Sequence, residues 1–212
     1  GYAMVEVSTN GREYTSSSVR FELVTVMVRS LTPWSGPQLG GTVVTIAGAR
    51  VAHVEAIRCA FGSFALSAPS LAVSSGSEAS PTSVVTVASA HGSDGVRCAS
   101  PGALATGWSS VELSSFGVTL QSGGSFYVHG RMIVSALVPP AGPVRGGTRV
   151  AVLGSGFRES ATMRCRFESS GATAVARHID DGQVECSAPP SLASGDRYVE
   201  VSMNGQQFTS SG

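Results

Sequence analysis

The chain has 212 residues, 42% of them hydrophobic and only 13% charged, with 14 basic side chains balanced by 14 acidic ones. Zero net charge excludes the broad positive field that draws nucleic acid or an anionic membrane, and no apolar run approaches the ~20 residues that a membrane-spanning helix needs. The length gives room for one or two domains that each bury a core, and the abundance of Gly and Ser at low charge suits short strands joined by tight turns.

Taken in order, residues 1–25 read as a hairpin. "YAMVEVSTNGREYTSSSVRFEL" alternates apolar and polar, reverses at Asn10-Gly11 and alternates again. The opening has no initiator Met and no signal peptide, and it matches the interior of a unit that recurs downstream. We therefore expect the sequence to be part of a longer chain. "LTPWSGPQLGGTVVTIAG", from Leu31, returns as "LVPPAGPVRGGTRVAVLG", from Leu137, 106 residues on. The same offset relates Cys59 to Cys165, Phe61 to Phe167, and "VEVS" at Val5 to "VELS" at Val111. Repetition at this length signals tandem copies of one module.

Apolar residues alternate in "TVVTIAG", "TRVAVLG", "SVVTVAS", "SVELSS" and "RYVEVSM", separated by Gly, Pro, Ser and Asn. Val and Thr favour the pleated conformation, helix signals are almost absent, and many short strands at this spacing predict an all-β sandwich. Aligning Phe21 with Tyr127 puts ten positions between each and the following Leu31 or Leu137. A strand-like junction of constant length predicts a fixed angle between neighbours, where a Gly/Ser linker would behave as a coil.

Four markers recur in order: Pro33 or Pro139 followed by "GPxxGGT" at Gly36–Thr42 and Gly142–Thr148; an apolar strand ending at Gly48 or Gly154; "CxF" at Cys59–Phe61 and Cys165–Phe167; and "VxCxxP" at Val96–Pro101 and Val184–Pro189, leading into the "VEVS…NG" hairpin. Residues i and i+2 share one side of a strand, so Cys59 and Phe61 should both point into the core. The marker set resembles the IPT/TIG family of immunoglobulin-like domains, over nearly the whole chain. The fold expected is all-β, a row of tandem immunoglobulin-like (IPT/TIG) β-sandwiches. Residues 1–25 would be the C-terminal hairpin of a preceding domain, 26–130 a complete domain, and 131–212 a domain lacking its last strand. Two departures stand out. Cys59 and Cys98 are 39 positions apart against 21 for Cys165 and Cys186, so the second copy carries extra residues around 71–95, a candidate contact loop. Phe116-Gly117 also stands where the other copies have Asn10-Gly11 and Asn204-Gly205.

Four cysteines allow three pairings. Only Cys59–Cys98 with Cys165–Cys186 repeats with the module, and that pairing is expected. Paired cysteines imply an oxidising compartment, hence an extracellular or cell-surface location. No "CxxC" occurs, and His53, His91, His129 and His178 are dispersed, so no metal site is expected. No N-x-S/T sequon occurs, although Ser/Thr-rich stretches are compatible with O-linked sugars.

No nucleophile elbow, P-loop or dinucleotide fingerprint is found. Asp94, Asp180-Asp181 and Asp196 read as turn or loop residues, although Asp180 beside His178 is also compatible with a hydrolytic pair. Glu6, Glu112 and Glu200 hold one recurring, outward-facing strand position. Trp34 and Trp108, the two tryptophans, both fall in the second copy. They read either as rings packed over the end of the sandwich or as an exposed platform for sugars or protein partners. We expect no enzyme, catalytic residue or cofactor. The resemblance implies a non-catalytic segment of a multi-repeat extracellular or cell-surface protein, of the kind found in adhesion, surface coats and filament assembly, the ciliary surface included. Its partners would be other proteins, copies of itself or a surface assembly, and neighbouring repeats. A receptor ectodomain that binds a protein ligand and an accessory module of a polysaccharide-active enzyme are the alternatives.

Overall fold

The computed structural model describes residues 1–63, 83–167, 172–191 and 194–210. The N-terminal residues form an antiparallel ribbon of β1 (Tyr2–Val5) and β2 (Val19–Glu22), in register from Tyr2↔Glu22 to Val5↔Val19. The reversal is wider than the two-residue turn expected at Asn-Gly. Asn10 organises it from within: its Oδ1 accepts from the backbone N–H of Arg12 (2.9 Å) and Glu13 (3.0 Å), and Gly11 adopts φ +70°.

A second unit follows, with β3 (Met27–Thr32), β4 (Ser35–Pro37), β5 (Val43–Ala49), β6 (Ile57–Ser63), β7 (Val84–Val87), β8 (Ser89–His91), β9 (Gly95–Ala99), β10 (Gly107–Ser115) and β11 (Val118–His129). They pair as two sheets, β4-β11-β10-β6-β7 and β3-β5-β9-β8. Alternation along the strands points Val44, Ile46, Cys59, Phe61, Val111, Leu113, Phe126 and Val128 into one core between the sheets. Phe116 (φ 47°) and Gly117 (φ 81°), both left-handed, make the tight two-residue turn between β10 and β11.

The third unit has β12 (Ile133–Val138), β13 (Arg149–Ser155), β14 (Arg164–Phe167), β15 (Ala172–Asp180), β16 (Gln183–Ser187) and β17 (Val199–Ser202), in the order β12-β13-β16-β15-β14-β17. Its core gathers Val152, Phe157, Met163, Cys165, Val184, Cys186, Val201 and Met203. The two units repeat each other in detail. Ladder bulges fall between Val28 and Ser30 and between Val134 and Ala136. Thr32-Pro33 and Val138-Pro139 are both cis. They differ in two ways: among the described residues the third unit has no strand in the place of β4 or β11, and the path between the sheets is built differently. β15 pairs with β14 through Ala172–Val175 and then crosses to pair with β16 from Ala176 onward. In the second unit this path is split into β7 and β8 around Ala88, whose N–H bonds Ile57 O at 3.1 Å just as Ala176 N–H bonds Met163 O at 3.2 Å.

The ladder corrects one correspondence read from sequence. Ala3 pairs with Phe21 as Ser109 pairs with Phe126, so Phe21 takes the place of Phe126 and not of Tyr127. The slip arises because β10 and β11 meet through two bulges and a tight turn, while β1 and β2 meet through a wide loop. The junction is not one continuous strand either: β2 and β3, and β11 and β12, are separate strands. The first part of the candidate contact loop around 71–95, residues 71–82, lies outside the described residues; β7, β8 and the turn to β9 carry the rest.

Candidate interaction site at the unit junction

The cysteines hold the sandwiches together face to face. Cys59 on β6 and Cys98 on β9 belong to opposite sheets; they are disulfide-bonded with Cα atoms 6.3 Å apart. Cys165 on β14 and Cys186 on β16 are bonded over the same 6.3 Å. All four are buried. The remaining residues singled out for chemistry do not converge. Among the described residues no group of three or more His, Cys, Asp or Glu stands close enough to hold a metal ion, and no helix is long and apolar enough to cross a membrane. Asp180 Oδ1 accepts the Gly182 N–H at 2.8 Å, a turn interaction. Glu112 is exposed, while Glu200 bonds Arg166 Nε at 2.7 Å across the β14–β17 pair.

What the structure does bring together lies where the second unit meets the third. The "GPxxGGT" turn projects from the second unit toward the hairpin at Asn204-Gly205 of the third. Asn204 Oδ1 accepts from the N–H of Gln206 (2.9 Å) and Gln207 (3.1 Å), which aims its amide nitrogen outward. That nitrogen donates to Ser35 O and to Thr42 Oγ1, each at 3.2 Å. Thr42 Oγ1 donates to Gln207 Oε1 at 2.9 Å, and Gln207 Nε2 donates to Gly41 O at 3.1 Å. Gln206 pairs with the Val43 backbone like an added strand residue, accepting its N–H at 2.8 Å and donating to its carbonyl at 2.9 Å. Ser35 and Thr42 have no exposed surface and Asn204 has 5%. Burial of this many polar groups is tolerated because nearly all of them are paired. Gly36 is required beneath: a Cβ there would collide with Thr42 Oγ1 and with the Phe126 ring.

Beside this clasp, Trp34 stacks on Trp108 at 5.7 Å between ring centroids, and Trp108 meets the edge of Tyr127 at 5.3 Å. The rings pack on one another while Trp108 remains 50% exposed. Arg158 of the third unit places its guanidinium 4.3 Å from the Tyr127 ring centroid, a cation–π contact across the junction. A cavity lies below, lined by Leu39, His129, Met132 and Phe208. Burial there pushes the His129 imidazole pKa below its ordinary 6.5, opposed in part by a hydrogen bond to Gly130 O.

The sequence marked "GGT" and "NG" as separate turns and missed that each is the other's partner. Their joint recurrence was the signal. Arg158 carried none.

These features define tandem immunoglobulin-like β-sandwiches, each bridged internally and joined end to end. Residues 132–212 match the family model described as the IPT/TIG domain; that unit belongs to the IPT/TIG family, and the chain has its all-β fold. No curated protein matches the chain in sequence. Among solved structures it is similar to the full extracellular region of plexin A4, domains 1 to 10, with a TM-score of 0.57 and 17% identity over 90% of this chain and 16% of that one. A second structure of that region, with domains 1 to 8, gives 0.50 and 15% identity over 96% of this chain and 20% of that one. The chain thus spans about a fifth or less of the plexin chains it resembles.

Proposed function

We propose that this chain is a non-catalytic spacer and binding segment of a multi-repeat extracellular or cell-surface protein, acting in adhesion, coat or filament assembly. The residue divisions 1–25, 26–130 and 131–212 are then its modular boundaries. The observation that carries this reading is the polar clasp of Asn204, Gln206 and Gln207 on Ser35, Gly41, Thr42 and Val43. It turns a short connection into a fixed angle, so that outer loops are presented at a set spacing. The two cystine bridges support an oxidising location. The half-exposed Trp108 beside the junction is the surface we assign to partner contact, since exposed aromatic anchors dominate protein interfaces.

Two measurements test this. Alkylation and mass analysis of protein purified without reductant should find no free thiol; four modified cysteines would defeat the extracellular assignment. Small-angle scattering should give one inter-unit angle for the wild type and a broadened distribution for Asn204→Ala; equal breadth for the two would defeat the spacer mechanism.

A further inference from the structure

The aromatic cluster beside the clasp is an addition to the module and not a requirement of it. Pro140 stands in the third unit where the second has Trp34. Phe61 pairs with Val111 as Phe167 pairs with Val199, so the residue three places earlier is Trp108 in one unit and Asp196 in the other. The third unit builds its bridged core without rings at this end. In the second unit the cluster is held ready for contact. Trp108 stacks on Trp34, is braced by Tyr127 directly across the β10–β11 pair, and still leaves half of its surface to solvent. A side chain fixed in this way loses little further freedom on binding.

The surroundings of the rings are polar and flat. Alternation along β10 turns Trp108, Ser110 and Glu112 to the outside of the sheet. Ser110 faces Ser125 on β11 and Gly62 on β6, and Glu112 faces Ala60. A protein interface of ordinary size covers about 800 Å² per partner, and no wide apolar face is built around Trp108. One indole face beside hydroxyls suits a single pyranose ring, whose polarised C–H groups meet the negative face of the indole and whose hydroxyls need partners at its edge. Arg158 sets the charge of the ligand. At the first junction Glu22 lies across from Tyr2 as Tyr127 lies across from Trp108, and Glu22 takes Arg50 into an ion pair at 3.7 Å. At the second junction the guanidinium of Arg158 meets a ring instead, and among the described residues it pairs with no carboxylate. Its fork of N–H donors suits a carboxylate. Glu112, four residues along β10 and thus about 13 Å from Trp108, is too distant to compete.

We propose that this platform binds an acidic saccharide, with a pyranose ring on the free face of Trp108 and its carboxylate held by Arg158. Uronic acids of a matrix polysaccharide and sialic acids at glycan termini share that chemistry. The site spans two units: the second supplies the rings and the third the guanidinium. It is complete only while the clasp fixes their angle. This inference rests on the assignment of Trp108 as the contact surface and names what that surface contacts.

Both tryptophans of the chain lie in the cluster, so indole fluorescence reports on it directly. The chain is titrated with a hyaluronan tetrasaccharide and with sialyllactose, and with neutral chitotetraose and lactose as controls. At least one acidic sugar should give a saturable change with a Kd of about 1 mM or tighter, and the neutral sugars should bind at least about tenfold more weakly, as loss of a charged hydrogen bond predicts. Which acidic sugar responds separates a matrix polysaccharide from a glycan terminus. Calorimetry reads the variants: Trp108→Ala should abolish binding, Trp108→Phe should retain part of it, and Arg158→Gln should weaken it about tenfold or more. Asn204→Ala should weaken it as well, because the angle between the units is lost. Trp108 and Arg158 lie outside both cores, so melting profiles should show their variants folded. Equal affinity for acidic and neutral sugars overturns the proposal, and so does binding that survives Trp108→Ala. A chain that responds to none of these saccharides overturns it too and leaves the surface to a protein partner; the spacer reading, which the scattering experiment tests, then stands or falls by itself.

Discussion

Phe61 has no exposed surface and meets Phe126 edge-on, 5.7 Å between ring centroids, in the middle of the second core. Its place was legible from the "CxF" spacing, because alternation puts both Cys59 and Phe61 on the inward side. Phe61→Ala should cost about 3–5 kcal/mol in urea unfolding, the usual range for a deleted core aromatic. Ser35 is the opposite case. Its backbone oxygen serves the clasp, but its buried hydroxyl has no partner among the described residues. The third unit has Ala141 at this position. Ser35→Ala should therefore leave stability unchanged or slightly raised, since it removes an unpaired buried polar group. His129 gives a pH dependence of definite sign. Burial lowers its folded pKa below 6.5, so the unfolded chain binds the proton more readily. Its contribution is complete above pH 6.5 and is lost as the pH falls through the lowered folded value. Urea titrations across that window should show wild-type stability falling with acid more steeply than His129→Asn.

The strands themselves were largely readable, because period-two alternation bounded by Gly and Pro is a local signal. What resisted reading was pairing. Whether β15 runs unbroken between sheets or splits at Ala88 depends on tertiary partners, and nothing in "SVVTVAS" or "ATAVARHID" declares it. The wide Asn10 loop was missed for a similar reason: Asn-Gly suits a two-residue turn, but here the Asn side chain binds backbone further along and holds the loop open. Gly48 and Gly154 show what a repeated marker can mean. A Cβ on either would collide with the carbonyl of Met27 or Ile133, on the strand alongside. Gly154→Ala should therefore destabilise the third unit and lower its melting temperature, although the substitution normally favours order. The bridges act at this scale as well. Replacing Cys165 and Cys186 together by Ser should cost about 3 kcal/mol on the chain-entropy estimate, and the longer Cys59–Cys98 loop somewhat more; denaturant midpoints of the two double variants give the comparison.

At the scale of the molecule, the plan of successive sandwiches followed from the 106-residue repeat, while the means of joining them did not. Hydrogen bonds between residues more than 160 positions apart leave no trace in local composition. Arg158→Ala should remove the cation–π contact with Tyr127 and raise amide exchange around Gly130–Met132, leaving the two cores protected. Loss of protection in either core would show that the units are not independent.

One short pairing has a mechanical corollary. β4 runs parallel to the end of β11 over Tyr127↔Ser35 to His129↔Pro37, and Tyr127 N–H to Trp34 O (2.8 Å) and Gln38 N–H to His129 O (2.9 Å) bracket it. β4 lies near the entry of the second unit and β11 leads out of it. Tension applied to the two ends of the chain would drag these parallel segments past each other lengthwise, straining their bonds together and not one after another. The second unit is thereby built to resist stretching, and force spectroscopy should find its rupture force lowered by Gln38→Pro, which removes the N–H that Gln38 donates to His129 O in the loaded patch.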